Sequence, residues 1–299
     1  MIKELNLSAI NKLFDGLKGS WDNRAVVRNK ILDYELDYDL DIPDFMEDLL
    51  PFKNHPLYED SSQAVKSKIL SCGWLIYNEK TVNIETKIIS PACINIIDKK
   101  FDLFLAENIR ENIAQVLTDE SYHTLMVIKA NALTMKKRQL APFRFPDFDL
   151  VSNMQTMLGN LNCSKDKMLL GLACAIVSEM SISDYLSKLS KESSIQELNR
   201  QVIYAHWKDE LSHASAFKKI LEMAYCGFSK KEIDSLIKYI NVARAWFESS
   251  ELNVWRSVLL QIGFLSCEKM LNECQNEVRD ANNKIFWNYS EIEDVIQRL

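Results

Sequence analysis

The sequence predicts an all-α fold, in which a four-helix bundle carries additional helices. Apolar residues recur at helical spacing along most of the chain, and no stretch alternates apolar and polar residues for long enough to form a substantial sheet. Seven glycines and six prolines in 299 residues are few, which favours long helices. Four of the predicted helices carry acidic or histidine side chains inside their apolar stripes, and this pattern indicates a bundle built around a polar centre.

The composition limits the expected partners and compartment. The net charge of −6 gives no reason to expect nucleic acid or an acidic membrane surface as a partner. The longest apolar run, Met168 to Val177, is too short to span a bilayer, and the charged start of the chain lacks a signal-peptide core. Seven scattered cysteines without a Cys-x-x-Cys pair suit free thiols. We therefore expect a cytoplasmic protein that binds neither nucleic acid nor membrane.

Two regions are predicted. Residues 1–58 form an N-terminal arm with short helices that pack on the core, and residues 59–299 form a single globular domain. Within the arm, the acidic and aromatic stretch 34–43 is expected to be an extended segment. His55, beside Pro56, is predicted to be a surface or packing residue.

The four helices with polar residues in their stripes are predicted over 60–90, 101–137, 165–190 and 195–225. Pro91 should kink or end the first of them. Residues 141–163 contain prolines, a glycine and several Asp and Asn residues, which predicts a loop. The sequence from Ser194 to Glu197 fits a capping box that opens the fourth helix, and Gly227 is placed to end it.

Two further helices and a tail complete the chain. A second capping box, Ser229 to Glu232, opens a helix to position 248, and Ser250 can start another that reaches position 275. Their aromatic and aliphatic residues are expected to build core or a subunit interface. The tail, with Trp287 and Tyr289, is expected to pack back on the domain.

Residues 202–220 place three potential metal ligands on one helix face. His206, Glu210 and His213 stand at i, i+4 and i+7, and an α-helix turns once in about 3.6 residues, so all three point the same way. Apolar residues such as Val202 and Phe217 share this face, which should be directed at the core. Taken alone, the stretch also fits a buried polar cluster or a surface face whose phase is misjudged.

An Asp-Glu-x-x-His sequence occurs twice in the chain, and a lone glutamate on an earlier helix precedes each copy. Two lone glutamates and two Glu-x-x-His pairs on four helices form the ligand arrangement of a dinuclear carboxylate site in a bundle. The residues concerned are Glu85, Glu120 and His123 in the first half, and Glu179, Glu210 and His213 in the second.

Charge and donor type favour iron at such a site. The four carboxylates together carry about four negative charges, and two divalent ions would balance them. A buried cluster of charges requires such a balance. Oxygen-rich ligation with some imidazole suits iron or manganese, whereas structural zinc prefers cysteine and histidine. Asp119 and Asp209, which directly precede the motif glutamates, are expected to accept the remaining ring N–H of a ligand histidine. The alternative for both aspartates is a charge on the helix surface.

The sequence resembles the ferritin-like diiron N-oxygenases, the family of para-aminobenzoate N-oxygenase and of the arylamine oxygenase of chloramphenicol biosynthesis. The resemblance rests on the segments 85–93, 119–123 and 206–213 and on Glu179. The additional His206, one turn before Glu210, distinguishes the N-oxygenases from other diiron oxidases, and the resemblance makes it the candidate catalytic histidine. The implied ligand set has seven members: Glu85, Glu120, His123, Glu179, His206, Glu210 and His213.

The resemblance implies a ferritin-like bundle that often forms homodimers, two iron ions, and O₂ as co-substrate. The implied reaction converts a small-molecule amine to a hydroxylamine, and in some members onward to nitroso or nitro, in natural-product biosynthesis. No flavin or dinucleotide glycine motif occurs, so electrons are expected from an external reductase or ferredoxin. Positions that contact substrate vary within the family and are not assigned.

Two other functions stay open on the sequence. A diiron C–H hydroxylase or desaturase would use a similar set of ligands, although His206 argues against it. A non-catalytic, ferritin-like metal-binding or storage protein is the second alternative, although the chain is longer than such a bundle needs.

Overall fold

The computed structural model describes residues 7–29, 32, 34, 37–101, 103, 106–276 and 287–298. Helices supply all of the regular structure within these ranges, and no strand occurs among them. The predicted all-α class is therefore confirmed. The α-helices are α1 Leu7–Arg24, α2 Pro56–Glu59, α3 Gln63–Ile84, α4 Ser90–Ile97, α5 Glu107–Arg138, α6 Asp149–Asn160, α7 Ser164–Ser181, α8 Ser183–Leu189, α9 Glu197–Gly227, α10 Lys230–Phe247, α11 Leu252–Gln261, α12 Cys267–Asn276 and α13 Ser290–Arg298.

The centre of the fold is formed by α3, α5, α7 and α9. Helix α5 packs on both α3 and α9, and α9 also packs on α7. The other elements cover this bundle, with α10 against α7, and α1 across α5 and α9. Apolar side chains from all of these helices fill two large clusters of buried residues. The middle of the bundle is therefore enclosed by the four central helices and by the elements that pack on them.

Helix α7 is the most apolar of the central helices, and every residue from Leu172 to Ser181 is buried. The segment Ser164–Leu189 is long and apolar enough to cross a membrane by length and composition, and 78% of its apolar window is buried inside the protein. A central helix of a bundle meets the same test, because it too is surrounded by apolar neighbours.

Pro91 does not end the first long helix. A π-helical segment, Glu85–Ile89, follows α3 directly, and the chain then continues as α4 with Pro91 in its first turn. Proline lacks an N–H and its ring crowds the preceding turn of an α-helix. The wider π turn accommodates that ring, so the helical path continues beyond it.

The loop predicted over 141–163 is wrong in its second half, where α6 forms. Asp149 lies in the first turn of this helix and Asn160 is its last residue, so these residues mark helix ends rather than a loop. Leu150, Val151 and Met154 lie on its buried face. Helix-breaking residues therefore indicated the boundaries correctly and the interior incorrectly.

The two predicted capping boxes have different outcomes. Ser229 and Glu232 form one at the start of α10, as predicted. At the start of α9, however, Gln196 is the capping position and makes no side-chain cap, while the N–H of Ser194 donates to Glu192. Gln196 instead donates to the carbonyl of Ile42 in the N-terminal arm, so a tertiary contact replaces the local one.

Two predicted helices are each divided in the structure. The stretch 165–190 forms α7 and α8, which meet at Ile182. The stretch 250–275 forms α11 and α12, and Gly263 between them has a φ of 82°, a conformation that glycine adopts readily. Helix α9 ends at Gly227 as predicted.

The N-terminal arm contains α1, an 18-residue helix that is longer than the short helices expected there. Residues 35 and 36 of the predicted extended stretch lie outside the described residues. His55 caps α2 and its Nε2 lies 2.8 Å from Glu273, which agrees with a packing role. The ring of Trp287 stacks on Tyr185, so the tail packs back on the domain as predicted. The division at residue 58 stays a prediction.

Candidate metal centre

All seven candidate ligands lie together in the middle of the bundle. The π segment after α3 carries Glu85, and the other six come from α5, α7 and α9. None of the seven is more than 6% exposed. The four predicted ligand-bearing helices thus converge on one buried polar centre.

The side chains on α9 follow the helical period that the sequence indicates. His206, Glu210 and His213 all point inward, and Val202 and Phe217 on the same face are buried. The polar residues therefore interrupt a core-facing stripe, and the alternative of a misphased surface face is excluded.

The centre divides into two groups of residues. Within each group, the potential ligand atoms all lie within 4.8 Å of one another. Each group could hold one metal ion, because each offers carboxylate oxygen and imidazole nitrogen from converging helices. The first group is Glu85, His123 and His206, and the second is Glu120, Glu179, Glu210 and His213.

Glu210 belongs to the second group and also faces the first. Its Oε1 is 3.1 Å from His206 Nε2, 3.4 Å from His213 Nδ1 and 3.8 Å from His123 Nδ1. One carboxylate oxygen therefore faces histidines of both groups. Such a position suits a carboxylate shared by two metal ions.

The two aspartates contact the histidines in a crossed arrangement. His213 Nε2 lies 3.2 Å from Asp119 Oδ2, and His123 Nε2 lies 3.1 Å from Asp209 Oδ2. Each aspartate thus pairs with the histidine of the other motif. Both histidines turn Nδ1 toward the centre, as expected when the other ring nitrogen donates to a carboxylate. Both aspartates are buried, so the surface-charge alternative is excluded.

Helix α1 and the turn after it contact these aspartates from outside. Trp21 Nε1 donates to Asp119 Oδ1 at 2.9 Å. Arg24 Nη1 lies 3.0 Å from Asp209 Oδ1, and the N–H of Val26 donates to Asp209 Oδ2 at 3.2 Å. These contacts have no local signature in the sequence, because the partners are separated by 98 to 185 residues.

Glu85 has its own support. Thr124 Oγ1 donates to Glu85 Oε2 at 2.9 Å from the residue after His123. The π segment that carries Glu85 was not predicted, and single π turns are frequent at functional sites. Threonine beside a ligand histidine is too common for its role to be apparent from the sequence alone.

Several ligand atoms make no well-formed hydrogen bond among the described residues, although Glu120 Oε1 lies 2.8 Å from His213 Nδ1. They are Glu85 Oε1, both oxygens of Glu120 and of Glu179, and the Nδ1 atoms of His123 and His213. Buried polar atoms are normally paired, and an unpaired buried carboxylate is costly. The donor set and its unpaired atoms therefore fit metal ions.

The pKa values of these groups in the protein without metal also show that the buried carboxylates lack sufficient positive charge. Burial and the charge of Glu120 raise the pKa of Glu85 well above the usual carboxylic range. Burial and the charge of Glu210 raise the pKa of Glu179 in the same way. Burial lowers the pKa of His123, but the hydrogen bond to Asp209 and the nearby carboxylates outweigh it and raise this pKa to about 9. Bound cations would relieve the repulsion between the carboxylates.

Fold and centre together define a helical-bundle protein with a buried carboxylate and histidine site suited to metal. The chain matches the family model described as P-aminobenzoate N-oxygenase AurF over residues 8–295. It is also similar to the 4-aminobenzoate N-oxygenase of Streptomyces thioluteus, with 26% identity over 261 residues that cover 86% of this chain and 77% of that protein. The chain belongs to the P-aminobenzoate N-oxygenase AurF family, and is accordingly an oxygenase that acts on an amine.

Proposed function

We propose that the chain is a non-heme diiron enzyme that activates O₂ and N-oxygenates a small-molecule amine, with a hydroxylamine as the first product and nitroso or nitro as further oxidation levels. The observation that supports this most strongly is the pair of buried ligand groups, in which Glu210 of the second group faces histidines of both. The amine of the relative, 4-aminobenzoate, indicates an aromatic amine as the class to try first.

The reaction balances with an outside source of electrons. An amine, O₂, two electrons and two protons give a hydroxylamine and water. Iron bound at the centre would supply the reduction of O₂ and the transfer of one oxygen atom to nitrogen. The electrons would come from a reductase or ferredoxin, since the sequence has no flavin or dinucleotide glycine motif.

We assign each ligand to one of the two metal ions from the contacts of its side chain. Glu85, His123 and His206 would hold one ion, and Glu210 would be shared between the two ions. The second ion would be held by Glu120, Glu179 and His213. Nitrogen, oxygen and carboxylate donors of this kind suit iron or manganese, and an oxygenation reaction favours iron because it requires a redox-active ion.

The aspartates would fix the histidines for this purpose. Asp209 accepts from Nε2 of His123, and Asp119 accepts from Nε2 of His213, so in each ring Nδ1 keeps its lone pair for a metal. His206 has neither aspartate as a partner, and its Nε2 faces Glu85 and Glu210 directly. As the additional neutral donor, His206 is our candidate for the residue that adapts the centre to nitrogen oxidation.

We also propose a cytoplasmic homodimer that works in natural-product biosynthesis, with residues 59–299 as one ferritin-like domain and 1–58 as an arm upon it. The large apolar side chains exposed on the packed pair α5 and α9 support a subunit interface there. They are Leu125, Ile128, Tyr204 and Leu211.

The test uses protein loaded with iron without oxygen, reduced chemically, and exposed to isotopically labelled O₂ with a panel of amines. Mass spectrometry of the products decides the outcome. Label on nitrogen supports N-oxygenation, whereas label on carbon or a new double bond supports the hydroxylase or desaturase alternative. A His206→Ala variant that still binds iron but loses nitrogen oxidation would support the role given to His206, and unchanged oxidation would exclude it.

A further inference from the structure

A cavity of about 190 Å³ lies beside α3, between the arm and the turn from α10 to α11. An apolar cavity of about 150 Å³ holds benzene, so this one has room for a single ring with small substituents. Six aromatic residues contribute to its walls, which suits a flat ligand. The aromatic residues are Phe45, Tyr77, Tyr185, Phe247, Trp255 and Trp287.

A second, smaller space at the metal centre adjoins the cavity. This space of about 40 Å³ is lined by ligands of both groups, including Glu85, Glu179 and His206. Thr81 and Phe247 line both this space and the larger cavity. The outer end lies at the segment near Asp48, whose side chain is 71% exposed. A bound amine would therefore have an inner end at the centre and an outer end away from it.

The charged groups that line the cavity, among the described residues, are one cation and three carboxylates. The cation is Lys80, and the carboxylates are Asp48, Glu248 and Glu251. Lys80 Nζ lies 2.9 Å from Glu251 Oε1 and donates to the carbonyl of Phe247 at 3.3 Å. The protein itself thus neutralises the positive charge in this wall.

The surroundings hold Glu251 in place. Its φ of 54° is left-handed, which is unusual for a residue with a side chain and persists where neighbouring structure fixes it. Its Oε2 accepts from the N–H of Asp149 at 2.9 Å. Only 5% of the Glu251 side chain and 17% of the Lys80 side chain are exposed. The ion pair is therefore largely buried and anchored on both sides.

We propose that this cavity binds a single-ring amine whose outer end carries no negative charge, and that the Lys80–Glu251 pair determines this selectivity. The assignment of an amine to the cavity rests on the proposed function. Among the described lining residues an anionic outer end would meet no unpaired cation, because Lys80 is paired with Glu251, and Asp48 is paired with Lys53. It could reach Lys80 only by separating the pair, which would leave Glu251 buried without a partner, and breaking a buried pair is strongly unfavourable.

A neutral polar group at the outer end avoids this penalty. The buried hydroxyl of Tyr77, in the cavity wall, has no well-formed hydrogen bond among the described residues and could serve an amide, hydroxyl or ether. The relative from Streptomyces thioluteus is named for 4-aminobenzoate, which ends in a carboxylate. The selectivity inferred here differs from that of a benzoate-binding pocket.

The test compares two ring compounds of nearly equal shape, 4-nitrobenzamide and 4-nitrobenzoate. Both carry a nitrogen that is already fully oxidised, so binding is measured without turnover. Titration calorimetry on the iron-loaded, oxygen-free protein should show the neutral amide binding about tenfold more tightly. Tighter binding of the benzoate, or no binding of either compound, would overturn the proposal, and this comparison requires no variant.

Variants then locate the origin of the selectivity. Glu251→Gln keeps an oxygen that can accept from Asp149 and leaves the charge of Lys80 unneutralised, so the ratio should shift toward the benzoate by about tenfold. Adding Lys80→Met to Glu251→Gln should restore the preference for the amide. Asp48→Asn is the matched control: it removes a carboxylate paired with Lys53 at the exposed end, where solvent and salt screen both charges, so the ratio should change little. An unchanged ratio in Glu251→Gln would refute the role of the pair.

Turnover separates this proposal from the proposed function. The panel of amines includes 4-aminobenzamide and 4-aminobenzoate. Selective binding of the neutral compound without any oxidation of nitrogen would leave the cavity assignment standing and contradict the proposed function. Equal oxidation of both amines would support the function and contradict the selectivity.

Discussion

The contact between Asp209 and His123 gives the sharpest test of how the centre is held. Asp209 is fully buried, and its two oxygens accept three hydrogen bonds. Its Oδ2 serves both the N–H of Val26 and Nε2 of His123, while Oδ1 serves Arg24. We expect replacement of Asp209 to weaken metal binding through the orientation of His123.

The contacts set the size of the effect. In Asp209→Asn the remaining oxygen can occupy the Oδ2 position and keep two of the three bonds, and Arg24, whose side chain is 21% exposed, can turn to water. Partners of ligand histidines typically change metal affinity by about 10–100-fold. We therefore expect about tenfold weaker binding for Asp209→Asn and about hundredfold for Asp209→Ala, which removes both acceptors.

The assay is an anaerobic competition between the protein and a chelator for Fe²⁺, with circular dichroism to establish that each variant is folded. Asp234→Asn, an exposed carboxylate on α10, serves as the matched control and should leave the affinity unchanged. Equal affinities for wild type, Asp209→Asn and Asp209→Ala would refute the reasoning that this aspartate positions a ligand.

Three further outcomes are expected. Glu120→Ala should abolish binding of both metal ions, measured by metal analysis, while the helical circular dichroism signal persists, because the remaining carboxylates stay buried without balance. Ser229→Ala should lower stability by about 1 kcal/mol in thermal unfolding at neutral pH, because it removes a helix cap. Hydrogen bonds from Ser229 lower the pKa of Glu232 to about 2. The stabilisation that the Glu232 carboxylate contributes to the capping box is therefore complete above the unfolded-state pKa of about 4.3 and is lost as the pH falls toward 2. Gly73→Ala should lower the melting temperature and weaken ring-ligand binding in calorimetry, because the added Cβ would lie 2.8 Å from the Phe45 ring.

Much of the centre was predictable because its residues follow a local period. His206, Glu210 and His213 share one face of a helix, and that relation requires no knowledge of the tertiary fold. The repeated Asp-Glu-x-x-His motif likewise indicated which helices should converge. The crossed pairing of Asp119 with His213 was not predictable, because it depends on how α5 and α9 pack.

Features that depend on distant contacts were missed. Nothing near Trp21 or Arg24 in the sequence indicates that α1 reaches the aspartates. The capping box at Ser194 was locally plausible, but the bond from Gln196 to Ile42 in the arm prevailed. The π segment at Glu85 likewise combines a local cause, Pro91, with packing around the centre. Local sequence patterns therefore predicted the candidate metal ligands better than the residues that hold those ligands in position.

In the proposed function, the buried centre holds two iron ions per chain. The most direct measurement is metal analysis of the protein after anaerobic loading with excess Fe²⁺ and removal of unbound metal. We expect two iron ions per chain, because the centre offers two ligand groups and Glu210 of the second group faces histidines of both. A ratio near one would contradict a dinuclear centre, and hundreds of ions per assembly would instead support a storage protein.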